Sequence, residues 1–155
     1  MMEEIFQFIR NGDLNSLNKV DHRVDFDSYV DRRGSTPLIL AAYYNQVDIV
    51  KFLLHRSSHV NQQDHSGNTA LMGACFKGYQ EIVLILLEHG ADCNITNYNQ
   101  ATALFYAAGF NHPEIAQILL EKGADTTIKD KYGKTAFQQA EAQGLGKQFQ
   151  HIKPK

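Results

Sequence analysis

Residues 67–94 read GNTALMGACFKGYQEIVLILLEHGADCN, and residues 100–127 read QATALFYAAGFNHPEIAQILLEKGADTT. The two align without a gap at a step of 33 residues. One step back, residues 34–54 read GSTPLILAAYYNQVDIVKFLL; one step forward, residues 133–140 read GKTAFQQA. The marks recur in step: Asp31, Asp64, Asn97 and Asp130; Thr36, Thr69, Thr102 and Thr135; Leu38, Leu71, Leu104 and Phe137. A fixed period of this length specifies a stack of equal units, each touching only its neighbours, and not a globule around one closed core.

Each unit carries the same punctuation. Asp31, Asp64 and Asp130 precede Gly34, Gly67 and Gly133 by three residues, which marks a tight turn with glycine at positive φ. The threonines then cap a short helix, and Pro37 stands just inside the first, where a missing N–H costs nothing. Small residues line that helix: Ala41 and Ala42, Ala74 and Cys75, Ala107 and Ala108. A break at Asn45, Gly78 or Asn111 leads to a second helix. Its apolar stripe has helical spacing, as in Ile49, Val50, Leu53, Leu54 and Ile82, Val83, Leu86, Leu87. Gly90 and Gly123 end it in two units.

These residues resemble the ankyrin repeat, whose TPLH-type opening and period they share. The resemblance covers Asp31 to about Gln143. It implies an all-α repeat solenoid of helix pairs with β-hairpin-like fingers, the first helices and fingers lining a concave face. The expected organisation is one domain over residues 1–155: an N-terminal capping repeat (1–33), full repeats (34–66, 67–99, 100–132) and a C-terminal capping repeat (133–155). Glu3 to Arg10 and Leu14 to Val20 read as the helix pair of the first cap. GLGKQFQHIKPK replaces the leucine stripe at the other end, and its last residues are expected to fray. Three features depart from the family pattern. Gln100 stands where glycine is expected, so its turn is either distorted or holds a non-glycine at positive φ. Ile39, Met72, Phe105 and Gln138 stand where histidine is frequent. Arg56-Ser57-Ser58 replaces a glycine-ending loop.

The bulk properties narrow the function. A chain of 155 residues with 43% apolar content builds one domain core. Net charge −2 gives no global attraction to nucleic acid or anionic membrane. The longest apolar run, Ile82 to Leu87, is too short to span a bilayer. In MMEEIFQFIRNGD acids come before the apolar residues and Arg10 after them, the reverse of a signal peptide. Cys75 and Cys93 lack metal spacing and read as reduced thiols. The expected location is cytoplasmic, or the host cytosol for a secreted effector.

No phosphate loop, GxSxG elbow, HExxH or EF-hand loop is present. The seven histidines are scattered over separate units, and His112 takes a structural family position. Asp64 beside His65 imitates a catalytic pair, but Asp64 has the turn role of Asp31 and Asp130. No catalytic residue, cofactor site or metal site is therefore expected. Asn61 and Asn94 recur at one position and read as finger geometry.

The resemblance implies a partner surface at inner-helix ends and finger tips. Inner-helix ends carry Tyr43, Tyr44, Phe76, Lys77 and Phe110. Fingers carry Arg32, Arg33, Ser35, His65, Ser66 and Asn68, then Tyr98, Asn99, Lys131, Tyr132 and Lys134. Aromatics and arginine in one row have hot-spot composition. The competing reading makes Phe76 and Phe110 core residues. Leu84, whose counterparts are Lys51 and Gln117, is expected to face outward. The expected function is a non-enzymatic module, monomeric when free, that binds a protein with an acidic contact surface. It would bind no nucleic acid and would not insert into a membrane, and would act as a regulator, inhibitor, adaptor or effector. The alternatives are an enzyme or small-ligand-binding repeat protein with a site between fingers, and a homo-oligomeric scaffold.

Overall fold

The computed structural model describes residues 1–56 and 59–152. Ser57 and Ser58 of the unusual loop, and residues 153–155 of the expected frayed end, lie outside the described residues. Among the described residues the protein is an all-α repeat solenoid without strands. Helices α1 (Met2–Asn11) and α2 (Leu14–Asn18) open the stack. Inner helices α3 (Pro37–Tyr43), α5 (Ala70–Lys77), α7 (Ala103–Gly109) and α9 (Ala136–Ala142) alternate with outer helices α4 (Val47–His55), α6 (Gln80–Glu88) and α8 (Pro113–Glu121). Short 3-10 turns occupy Phe26–Ser28 and Gly146–Phe149.

The threonines start every inner helix. Each side-chain oxygen accepts the amide three residues on: Ile39, Met72 and Phe105 at 3.2 Å, Gln138 at 3.3 Å. Gln138 also returns a bond, its Oε1 accepting the Thr135 amide at 2.9 Å, so a capping box closes there. The inner helices end at left-handed residues, Asn45 (φ 56), Gly78 (φ 77) and Asn111 (φ 64). The following amides of Gln46, Tyr79 and His112 donate to Ala41, Ala74 and Ala107, a Schellman-type closure. Gly12 (φ 69) does the same for α1, with Asp13 donating to Phe8.

The core follows the small-residue and leucine positions. Ala41, Ala42, Ala74, Cys75, Ala107 and Ala108 have no exposed surface, and neither do Leu53, Leu86 and Leu119. Neighbouring inner helices pack far more extensively than neighbouring outer helices do, which curves the stack towards its inner row. Phe149 and Ile152 are buried at the end, where they cover the last unit in place of a second helix.

The fingers are hydrogen-bonded turns of the β-hairpin-like form that the resemblance implied, without strands among the described residues. In the first, Asp31 N–H donates to Ser35 C=O and Gly34 N–H to Asp31 C=O, both at 3.0 Å. A backbone bond joins each pair of adjacent fingers: the amides of His65, Tyr98 and Lys131 donate to the carbonyls of Arg33, Ser66 and Asn99, at 2.9–3.1 Å. One bond per pair registers the fingers without making a strand ladder. The turn at Gln100 is regular, with Asn97 donating to Ala101 and Gln100 to Asn97; Gln100 sits at φ 58. Of the two expectations, the strained residue is the one realised, and the distorted turn is not.

Asn61 and Asn94 act between units. Asn61 Oδ1 accepts the Asp92 amide at 2.8 Å and its Nδ2 donates to Gly90 C=O at 3.3 Å. Asn94 repeats this with Asp125 and Gly123. Each amide therefore staples a finger base to the end of the next outer helix.

Urea unfolding should rank four variants. Leu86→Ala removes a fully buried side chain from the central unit and should cost about 2–5 kcal/mol. Gly67→Ala places a Cβ 2.9 Å from the Asn97 backbone at φ +80, whereas Gly133→Ala meets nothing within 4 Å. Gly133→Ala should lose about 1 kcal/mol from φ alone and Gly67→Ala clearly more. Gln100→Gly should gain up to ~1 kcal/mol. A loss of stability in Gln100→Gly contradicts the strained turn.

Candidate functional site

Curvature leaves an open groove of ≈ 1390 Å³ across the first half of the inner row. Fingers form one wall, with Arg32, Arg33, His65, Ser66 and Asn68. Inner helices form the other, with Tyr43, Tyr44, Met72, Phe76 and Tyr106. A second cleft of ≈ 250 Å³ follows, lined in part by Asn99, Lys131 and Tyr132; Tyr106 borders both. Lys77, Tyr98, Phe110 and Lys134 are exposed but line neither cavity. Tyr98 and Tyr132 stand most clear of the surface, at 74% and 76% exposure.

Ser35 borders the groove at 7% exposure; its amide donates to Asp31 Oδ1 and its carbonyl accepts from the Asp31 amide. Turn closure holds it inside. Phe76 and Phe110 combine the two competing readings. Their rings meet edge-on at 4.6 Å, yet remain 37% and 45% exposed. Tyr106 joins them, 6.1 Å from Phe76 and stacked 6.2 Å from Phe110. Lys77 Nζ lies 5.0 Å from the Tyr43 ring centre, a cation–π contact that leaves both groups at the surface.

The charges divide by use. Asp31 Oδ1 accepts the amides of Arg33 and Ser35, Asp64 Oδ1 those of Ser66 and Asn68, and Asp130 Oδ1 those of Tyr132 and Lys134. These carboxylates are committed to their turns. Among the described residues no carboxylate pairs with Arg32, Arg33, Lys131 or Lys134, while Arg10 in the groove meets Glu3 at 3.8 Å.

Several groove residues escaped sequence reasoning. Tyr106 belongs to the position Leu40, Gly73, Tyr106, Gln139, whose lack of a common residue type hides it. Met2, Glu3, Phe6 and Arg10 of α1 line the groove, although the first unit lacks the turn and cap marks. Asn97 replaces the turn aspartate and supplies what a carboxylate lacks. Its Oδ1 accepts the Asn99 and Ala101 amides at 3.0 Å, and its Nδ2 donates to Asn68 Oδ1 and Tyr106 Oη at 2.8 Å. It thereby fixes one residue on each wall.

The histidines are structural where they pack. The His65 ring covers Gly34, so closely that a Cβ there would overlap it. His112 covers Gly78 in the same way and its Nε2 donates to Phe76 C=O at 3.2 Å. Among the described residues no three His, Cys, Asp or Glu side chains gather as metal ligands. Burial pushes the Cys75 thiol well above its ordinary value, with Cys93 adding to the effect; burial first and Asp92 second raise Cys93. Both thiols are free and buried. Among the described residues no helix is long and apolar enough to cross a membrane. Leu84 is exposed on α6, on the side away from the groove lining.

The family model described as "Ankyrin repeats (3 copies)" matches residues 5–97, 58–130 and 96–149. The comparison with curated proteins gave no match.

Asn97→Asp should cost about 1–3 kcal/mol in urea unfolding, since it faces Asn68 Oδ1 with a second acceptor at a site 5% exposed. An unchanged midpoint contradicts the bridging role. Cys75 should resist a thiol reagent such as dithiobisnitrobenzoate in the folded protein and react once urea unfolds it; rapid native reaction contradicts its burial.

Proposed function

Because the chain belongs to the ankyrin repeat family, we propose that it is a non-enzymatic module that grips another protein on its concave face. Residues 1–33 and 133–155 cap the stack in this reading, and the contact surface runs along the full repeats (34–132) and takes in Arg32, Arg33 and Lys134 from the caps. The observation that carries it is the groove itself: exposed Tyr43, Tyr44 and Phe76 opposite Arg32 and Arg33, which have no carboxylate partner among the described residues. Amphipathic rings give contact area at low entropic cost, and arginine adds planar donors. The partner's contact surface is acidic, because Arg32, Arg33, Lys131 and Lys134 stand exposed on the fingers without carboxylate partners among the described residues. Such a module acts as a regulator, inhibitor, adaptor or effector by occupying its partner.

Site-specific photo-crosslinking tests this directly. A benzophenone side chain at position 44 should yield a covalent adduct with another protein in native lysate, and the same group at position 84 should not. Arg32→Glu/Arg33→Glu should remove the adduct. Tyr44→Ala should weaken binding by about 1–3 kcal/mol and move melting far less than Leu86→Ala. Adducts formed only from position 84, or only between copies of the chain, overturn the proposal in favour of a scaffold.

A further inference from the structure

We infer that the concave face takes an extended acidic segment of its partner, lying along the stack with acids at two places about eight residues apart. This rests on the reading of that face as a protein-binding surface and adds the form of what it binds.

The first observation is the distribution of charge along the fingers. Arg32 and Arg33 stand exposed on the first finger, and Lys131 and Lys134 on the fourth. The second carries His65, Ser66 and Asn68, and the third Tyr98 and Asn99, with no lysine or arginine. Among the finger acids, Asp31, Asp64 and Asp130 are bound to turn amides, and the third finger has uncharged Asn97 in that place. The row is thus cationic at both ends, with no lysine or arginine between them and Asp64 the one carboxylate there.

The second observation is register. The backbone bonds from His65 to Arg33, Tyr98 to Ser66 and Lys131 to Asn99 hold the four fingers at regular steps. Packed helices lie about 8–10 Å apart, so three steps separate the two cationic ends by about 24–30 Å. An extended chain covers about 3.3 Å per residue, which makes that span about eight residues. The third observation is continuity: Tyr106 borders both the groove beside Arg32 and Arg33 and the cleft beside Lys131, so one track joins the two cationic ends and an extended chain can follow it. Between the ends, Phe76, Tyr106 and Phe110 form a continuous aromatic surface for the uncharged middle of the segment.

The test is selection of phage-displayed random 16-residue peptides on the immobilised full chain at low salt. Enriched peptides should carry acids at two places separated by about seven to ten residues, with apolar or aromatic residues between. One such peptide, labelled with fluorescein, should lose about tenfold or more in affinity with Arg32→Glu/Arg33→Glu and again with Lys131→Glu/Lys134→Glu. Shortening its spacer by four residues should reduce it to the affinity left by either reversal. The altered side chains are exposed, so unchanged melting confirms folded variants. A single acidic cluster, peptides without acids, no enrichment, or indifference to reversal at one end each overturns the inference. Crosslinking from position 44 reports on the protein-binding reading separately, so the two can fail independently.

Discussion

Successive inner helices approach through Ala41 and Ala42, Ala74 and Cys75, and Ala107 and Ala108, none of which keeps exposed surface. This close approach of small side chains is the constraint on which the rest depends. It draws the inner row together while the outer helices stand apart, and the difference is the curvature that makes a groove. A larger side chain at any of these positions would push neighbouring units apart, because packed interiors tolerate little added volume. The amide staples of Asn61 and Asn94 and the single bonds between fingers then lock the register that packing sets.

The electrostatics of the groove follow from the turns. A finger needs an acceptor for two backbone amides, and aspartate supplies it at Asp31, Asp64 and Asp130. The same bonds hold these carboxylates against their own turns and leave Arg32, Arg33, Lys131 and Lys134 without carboxylate partners among the described residues. A chain of net charge −2 can in this way present cationic ends on one face. Asn97 completes the same turn without charge and uses its spare donor to tie Asn68 to Tyr106.

The parts readable from sequence were those repeated within one unit. Thr69 and Leu86 announce a cap and a stripe because helix geometry is local. Asn45 and Asn111 mark helix ends because few residues other than glycine accept positive φ readily. The parts that stayed hidden depend on neighbours about one repeat away. His65 covers Gly34, His112 covers Gly78 and Asn61 reaches Gly90, and nothing in one unit shows those partners. Ser35 carries the composition of a surface turn, yet closure of that turn buries it. Most of the aromatic row was visible because its residues fall at inner-helix ends. Tyr106 was not, since its equivalents are Leu40, Gly73 and Gln139.

The central claim is that a partner meets this concave face through complementary charge and aromatic contact. The most direct measurement is the association rate of the crosslinked partner, once identified, from low to high salt, for the wild type and for Arg32→Glu/Arg33→Glu. A basic face meeting an acidic surface predicts a wild-type rate that falls as salt rises, and a variant that is slower at low salt and nearly flat. Equal rates for the two proteins, indifferent to salt, would contradict the account.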